Sequence, residues 1–474
     1  MYSIVVTMKY HSTLSLRDHL RLLGLRGHSG QAAASVLHDS QEFSSSSLAI
    51  WKRPLGTRWI DRPTIEIDWD RMERFDARQH TIMGLAGYIG VDEVERLSDL
   101  MKRQVKQQII ENRPGYTLRD RALSEATREG AVENSFNGFF HNPDYRVGKY
   151  RGFGASIYHP DELGVPRWEG SPEENSRMIR TVARYFGAAQ VGFVELNEHT
   201  RKLVYSFDDY DGKKIEFEDV ELAYETPDKR VIPNKARWVI VFSVQMSESV
   251  TKRTRGPAST HLSASTTYLA YSRSRFIIDD LQAFLYMIGY QGLMGPGWNT
   301  LGIAPAFGVM AGIGELSRLN RIISPEYGPM QRIYRVITDL PLAPTKPIDA
   351  GIMRFCRTCK KCAEVCPVGA LSIETEPSWE VKGQWNSPGH RAYFDDSIKC
   401  RIYWYRSTAA CSTCLYVCPF TKKDRSFPHN MIAATIATTP VLNRFFTRMD
   451  GVLGYDKPKQ PESWWNLAVP PYDI

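Results

Sequence analysis

The residues with the clearest chemistry in this 474-residue chain are its eight cysteines, and their spacing says what that chemistry is. The first four read Cys356-x2-Cys359-x2-Cys362-x3-Cys366 and run into Pro367. The second four read Cys400-x10-Cys411-x2-Cys414-x3-Cys418 and run into Pro419. Three thiolates two residues apart, on a loop curling around an iron–sulfur cubane, can each reach a different iron, while the fourth points away toward a second cluster. This is the bacterial two-[4Fe–4S] ferredoxin run, with the first spacing of its second half stretched. Under the crossed-ligation rule for such pairs, Cys356, Cys359, Cys362 and Cys418 hold one cluster, and Cys366, Cys400, Cys411 and Cys414 the other. Structural zinc would need paired knuckles separated by a longer loop, which four cysteines between 356 and 366 do not provide. A secreted disulfide protein would scatter its cysteines to close long loops, whereas here none lies outside 356–418.

Two cubanes in contact make a wire, so the rest of the chain must hold what the wire serves. No dinucleotide fingerprint appears: Gly289-x2-Gly292-x2-Gly295-Pro296-Gly297 has the wrong spacing and contains a proline. No P-loop is present, and neither is the Asp-x-His-x-x-Gly motif of base-on cobalamin proteins.

The elements that must position these residues are legible in part. Val94, Leu97, Met101 and Val105 form one apolar face of a helix over 91–109. Ser171-Pro172-Glu173-Glu174 reads as a capping box with proline at the first helical position; it opens a helix that stops at Gly187. Buried strands are expected over 191–196 and 237–244, the second almost wholly apolar and so central, and a further strand over 202–207. Pro341 to Pro347, with three prolines in seven residues, is a stiff connector into the cysteine region. A helix is expected over 440–449, and Trp464-Trp465 suggests a tail that packs back on the body.

With 42% hydrophobic residues the chain can bury a large core and hold two or three structural units. Its net charge of +7 is spread without an arginine-rich tract, which gives no sign of a nucleic-acid partner. The uncharged stretch 281–314 is long enough to span a bilayer, but Pro296, Pro305 and eight glycines mark it as buried soluble core. Near the start, Ser15-Leu16-Arg17-Asp18-His19-Leu20-Arg21 is similar to a twin-arginine export signal whose first arginine has become leucine. The small-residue stretch behind it is broken by Arg26, His28 and Gln31, so it reads equally as a basic tail; Met8 is an alternative start. A serine-rich linker, Ser40 to Ser47, follows.

Beyond the cysteines, most of the chain resembles the corrinoid-dependent reductive dehalogenases of organohalide-respiring bacteria. The resemblance is carried by the leader-like start, Pro63-Thr64-Ile65-Glu66-Ile67-Asp68-Trp69, Arg184-Tyr185-Phe186-Gly187-Ala188-Ala189, and above all the block from Gly295 to Gly308 and Leu340 to Pro347. It implies an α+β fold: a nitroreductase-like α/β core holding a base-off cobamide, with a ferredoxin-like two-cluster unit inserted late. On that reading 1–45 is leader and linker, 46–165 an N-terminal unit, and 166–345 the cobamide core with 191–244 as an insertion. The ferredoxin-like domain is 346–425, and 426–474 completes the core. Gly295, Gly297, Trp298, Thr300, Gly302, Ala304 and Gly308 become cofactor contacts, since glycines let backbone approach a large flat group; the competing reading is tightly packed core.

The resemblance also implies a tyrosine proton donor supported by an arginine and an asparagine. Tyr271 is the best match, with Tyr268 its competitor; Arg332 is the partner and Asn299 the asparagine. A neighbouring guanidinium stabilises a phenolate and so makes the phenol a better acid. Trp59, Trp298 and Trp404 could wall an apolar substrate cavity. Electrons would pass from the clusters to cobalt, whose Co(I) state cleaves the carbon–halogen bond of a small organohalide. Implied partners are a small hydrophobic membrane-anchor subunit and an upstream electron donor, with a homodimer left open. The implied location is the outer face of the cytoplasmic membrane if the altered leader works, and the cytoplasm otherwise. The rivals are an epoxyqueuosine-reductase-like cobalamin and iron–sulfur enzyme acting on transfer RNA, and a non-catalytic electron carrier.

Overall fold

The computed structural model describes residues 53, 56–132, 139, 159–254, 259–295, 301–421 and 427–474, all within one compact unit, Trp51–Ile474. The leader-like segment, the serine linker, and Gly297, Trp298, Asn299 and Thr300 lie outside the described residues.

Four antiparallel strands form the central sheet: β1 (Gln190–Glu195), β2 (Trp238–Gln245), β3 (Gly292–Leu293) and β4 (Gln331–Thr338), in the spatial order β1-β2-β4-β3. β2 reads as an almost wholly apolar run because both of its faces are covered. Ile240, Phe242 and Val244 enter one core, and Val239 and Val241 enter the other.

The helices follow in chain order. α1 (Val91–Ile110) appears where the periodicity puts it, with Leu97 its buried residue, and α2 (Leu118–Val132) comes next. α3 (Pro172–Tyr185) is capped by the Ser171 side chain, which accepts from the Glu174 amide. α4 (His261–Met287) is the long central helix, started by a reciprocal Thr260–Ser263 capping box. It packs between α2 and the sheet, contributing Ala270, Ile277, Ile278, Leu281 and Leu285 to the first core. The short helix α5 (Ala304–Met310) lies on the opposite core with Phe307 and Val309. Among the described residues no helix is long and apolar enough to cross a membrane.

Two expectations are corrected. β1 and β2 pair with each other in the main sheet, so the insertion placed at 191–244 lies between these strands and does not include them. It carries its own three-stranded sheet over 214–233, around a buried Arg230 paired with Asp208 and Asp211. The strand expected over 202–207 is instead a 3-10 turn, Thr200–Leu203, followed by isolated bridges. There Arg74 takes the carbonyls of Val204 and Tyr205 that a ladder would have used.

After the irregular connector 341–347 the chain enters the cysteine region through α6 (Ile352–Cys359). α7 (Ser397–Ser407) carries Cys400, α8 (Thr413–Tyr416) carries Cys414, α9 (Phe427–Thr438) follows, and α10 (Asn443–Val452) returns over α6. The Trp464-Trp465 pair does pack back on the body, with Trp465 Nε1 donating to Asp120 Oδ1 at 3.0 Å.

Candidate active site

Tyr271 sits midway along α4, one turn after Thr267, so both project from the same helix face. Arg332 is the second residue of β4, and Tyr334, two residues on, shares its side of the strand. These periodicities bring the four together. Arg332 Nη2 donates to Thr267 Oγ1 at 3.2 Å, and its guanidinium carbon lies 5.6 Å from the centre of the Tyr271 ring. Tyr334 meets the same ring edge-on at 6.1 Å and 84°. Tyr271 is thereby held from two sides, with the charge on one of them. Its competitor Tyr268 is elsewhere, near Arg128 and with burial raising its pKa.

Tyr271 and Arg332 line a cavity of ≈ 370 Å³ between the sheet, α5 and the cysteine unit. Its apolar wall comes from Ile65, Ile67, Trp69, Ile303, Ala304 and Met310, and its far wall from Trp385, Phe394, Tyr403 and Trp404. Two histidines also line it, His80 and His390; burial drives both down to about 4, so they stand neutral across the physiological range. Several buried polar atoms of the lining have no hydrogen-bond partner among the described residues: Gln331 Oε1, Arg332 Nε, Ser387 Oγ and Trp404 Nε1. Such atoms are costly unless a bound group or water satisfies them.

Four of the eight cysteines, Cys366, Cys400, Cys411 and Cys414, line this same cavity, and the other four do not. The thiols influence one another electrostatically across the two motifs. Cys418 is coupled electrostatically to Cys356, Cys362 and Cys359, and Cys400 to Cys411 and Cys366. Cys414 feels Cys411 and Cys400 most, then Cys362, which puts the two groups side by side. A left-handed turn at Lys360 (φ 53°) breaks the helix between Cys359 and Cys362 and lets the first loop curl. Arg318, fully buried, ties that loop down by donating to the Cys356 carbonyl at 2.7 and 3.0 Å and to the Ser372 carbonyl at 2.8 Å.

Burial pushes the Cys356 and Cys400 thiols up to about 12, and those of Cys414 and Cys418 well above the usual range. Thiolates so placed need a cation beside them, which cluster iron supplies. Among the described residues no three ligating side chains close on a single metal ion; a four-iron cubane takes a wider set.

Placement of the remaining expected residues is mixed. Ala304 lines the cavity. Gly302 and Gly308 do not: a Cβ would meet Leu203 O at 2.6 Å in the first and Ile322 Cδ1 at 2.6 Å in the second. They are glycines because protein, not cofactor, approaches them. Gly295 is buried behind β3 and is also absent from the lining. Trp404 is a wall residue, whereas Trp59 pairs with Ile348 in a short ladder under Arg53, away from the cavity. The sequence reading missed His80, Tyr205, Arg321, Trp385 and His390, none of which stands in a motif.

A mixed α+β core whose cavity opens on a double-cluster unit defines an iron–sulfur oxidoreductase. The model of the reductive dehalogenase subunit matches residues 52–342, and that of the 4Fe-4S double cluster binding domain matches residues 355–421. A chloroethene reductive dehalogenase of Dehalococcoides mccartyi (strain VS) is 31% identical over 528 aligned residues, which cover 98% of each chain. A trichloroethene reductive dehalogenase from another strain of that species is 30% identical, again over 98% of each. A solved reductive dehalogenase described as B12-dependent matches with a TM-score of 0.57 and 21% identity over 86% of this chain, which spans only 50% of that longer structure. The chain belongs to the reductive dehalogenases and carries the family's double iron–sulfur cluster domain.

Proposed function

We propose that the protein removes halogen from small chlorinated organic compounds, drawing electrons through its two clusters to a base-off cobamide held in the cavity. In balance, the carbon–halogen bond takes two electrons and one proton, and halide leaves. One observation carries this reading: Tyr271 with Arg332, and the cysteines Cys366, Cys400, Cys411 and Cys414, line the same cavity. Proton source and electron source thus face a common space.

A cobamide supplies, when bound and reduced, a cobalt centre strong enough to attack carbon–halogen bonds. The lining fits such a group. Apolar side chains can face a macrocycle, and Gln331, Ser387 and Trp404 offer unpartnered polar atoms for its rim of amides. The B12 dependence of the solved relative supports the choice. Cys356, Cys359, Cys362 and Cys418 hold the cluster away from the cavity, and the other four cysteines hold the cluster beside it.

Tyr271 gives its phenolic proton to the carbon from which halide departs, and Arg332 stabilises the phenolate left behind. Asn299 remains the proposed third member. The mostly apolar wall suits halogenated alkenes or aromatics, which make few hydrogen bonds. Respiratory use would require a membrane-anchor subunit and passage to the outer face of the membrane through the altered leader; without that passage the same chemistry would run in the cytoplasm.

The test is halide release by anaerobically reconstituted protein with reduced viologen and a panel of chlorinated alkenes and phenols, with and without cobamide. Chloride that appears only with cobamide and drops sharply in Tyr271→Phe supports the reading. Bound cobamide without chloride from any member of the panel counts against it.

A further inference from the structure

The electrons must enter somewhere, and the fold offers a surface for it. Because Cys366, Cys400, Cys411 and Cys414 line the cavity, the cluster they hold is the inner end of the wire. The outer end belongs to Cys356, Cys359, Cys362 and Cys418. What covers that end is α10: it packs against α6, the helix that carries Cys356 and Cys359, and Phe446 packs on the core shared by Cys359 and Cys362. Lys361, between two of the ligands, is clamped by Asp450 of the same helix at 2.6 Å and by Asp456 at 2.7 Å.

The other side of α10 is unusual for a protein surface. Val441, Leu442, Phe445, Val452 and Leu453 are all exposed, Phe445 by 55% and Val452 by 78%. Scattered exposed apolar residues need no explanation, but five on one helix and its flanks form a patch. Its charge is of one sign. Between Pro440 and Gln460 the only acids are Asp450 and Asp456, both spent on Lys361. Arg444, Arg448, Lys457 and Lys459 are exposed and, among the described residues, form no ion pair.

We propose that this face of α10 is the docking site of the physiological electron donor, an acidic one-electron carrier protein of the iron–sulfur or flavin class. An apolar centre with a charged rim is the form of a transient redox interface, small in area and steered by charge. The basic rim selects an acidic partner, and the position over the Cys359 cluster sets its redox group at the outer end of the wire. In each encounter the reduced carrier gives one electron to the outer cluster and leaves oxidised; two encounters serve one carbon–halogen bond. The proposal rests on the two-cluster wire of the proposed function, but its test reads the clusters and not halide release, so either can fail alone.

The experiment uses the full chain with both clusters and follows the bleaching of cluster absorption after anaerobic mixing. The probes are a reduced acidic plant-type [2Fe–2S] ferredoxin and, in parallel, reduced methyl viologen, which needs no docking face. In the wild type the ferredoxin rate constant should fall steeply with added salt. In Arg444→Glu/Arg448→Glu it should drop at least tenfold and lose most of its salt dependence, while the viologen rate stays the same. Phe445→Ser should weaken ferredoxin reduction at all salt concentrations. An unchanged ferredoxin rate in the charge-reversed protein overturns the proposal, as does an equal fall with viologen. Binding of the wild type, but not the variant, to phosphatidylserine vesicles with ferredoxin reduction untouched would assign the face to lipid and overturn it as well.

Discussion

The Arg332 guanidinium lies 5.6 Å from the centre of the Tyr271 ring while its Nη2 is anchored on Thr267, one helical turn before that tyrosine. The anchor matters as much as the approach, because it ties the charge to the helix that carries the proposed acid. Tyr271→Phe keeps the ring packing against Tyr334 and removes only the transferable proton. Dehalogenation should fall by about 10²–10⁴-fold, the usual worth of a positioned acid, with cluster spectra and cobamide content intact. Loss of cobamide together with the rate would mean that Tyr271 holds the cofactor and does not supply the proton.

The crossed ligation proposed for the two clusters gives a prediction in double variants. Cys418→Ser combined with Cys356→Ala strikes one set twice, so about four of about eight irons should remain, as one intact [4Fe–4S] cluster. Cys418→Ser with Cys411→Ala strikes both sets, and both clusters should be impaired. Iron analysis and electron paramagnetic resonance of the reduced proteins separate the two. If the sequential sets were the true ones, the second pair would spare the cluster of the first motif.

Gly302 tests whether the glycine block serves packing or cofactor. A Cβ there meets the Leu203 carbonyl at 2.6 Å and the Phe307 ring at 2.6 Å. Gly302→Ala should therefore destabilise the protein by about 1–3 kcal/mol in a denaturant melt, the usual cost of overpacking. Cobamide affinity in the folded fraction should be unchanged, and a selective loss of affinity would return the residue to the cofactor site.

What could be read from the sequence divides along the range of the interactions. Cluster ligation is set by spacings of two and three residues, so Cys356 to Cys366 announce themselves, and the stretched Cys400–Cys411 gap is filled by a helix that still delivers its thiols. α1 and β2 were legible because burial of one helix face or both strand faces leaves a periodic or continuous apolar trace. Tyr271 and Arg332 came from family resemblance: nothing local in Leu269-Ala270-Tyr271-Ser272-Arg273 says that a strand 60 residues later supplies a guanidinium. The cavity walls were illegible for the same reason, since Ile65, His80 and Trp385 meet only through tertiary packing. Leu203, Tyr205 and Phe207 alternate as a strand should, but Arg74 competes successfully for the carbonyls a ladder would need.

The buried histidines set an acid limit on stability. Burial lowers His80, His261 and His390 to about 4 each, against an ordinary value of 6.5. Between those values the unfolded chain binds the extra protons and the folded one does not, so stability is fully present above about pH 6.5 and is lost as pH falls toward 4. Asp208, raised to about 7 by burial, and Glu315, also raised by burial, work in the opposite direction over the same window, but they are two groups against three. Denaturant midpoints of the cluster-loaded protein should therefore decline from pH 7 to pH 5. His261→Phe, which removes one buried imidazole outside the cavity, should make that decline shallower. A flat profile over this range would show that the histidines are solvated in solution.

Arg321 supplies the last prediction, because it lines the cavity beside Cys400 and Cys414, the proposed ligands of the inner cluster. Its side chain is half-exposed, and the space it is exposed to is the cavity itself. Asp395 is the strongest influence on its charge, and the Cys400 and Cys414 thiols follow. Asp395 lies 3.7 Å away and is also held by the Asn320 amide at 3.0 Å. A fixed positive charge beside a cluster favours its reduced, more negative state. Taking the charge away in Arg321→Met also leaves Asp395 uncompensated, and both changes push the potential the same way. At an effective dielectric of about 20 and a separation of roughly 6 Å the charge is worth ~2–3 kcal/mol. For a one-electron couple that is on the order of 100 mV. A redox titration should find the inner cluster more negative by that order and the outer one nearly unmoved, and Arg321→Met/Asp395→Asn should recover much of the shift. Equal shifts of both clusters would mean that the substitution had loosened the cysteine unit as a whole, not that Arg321 sets the potential at the cavity.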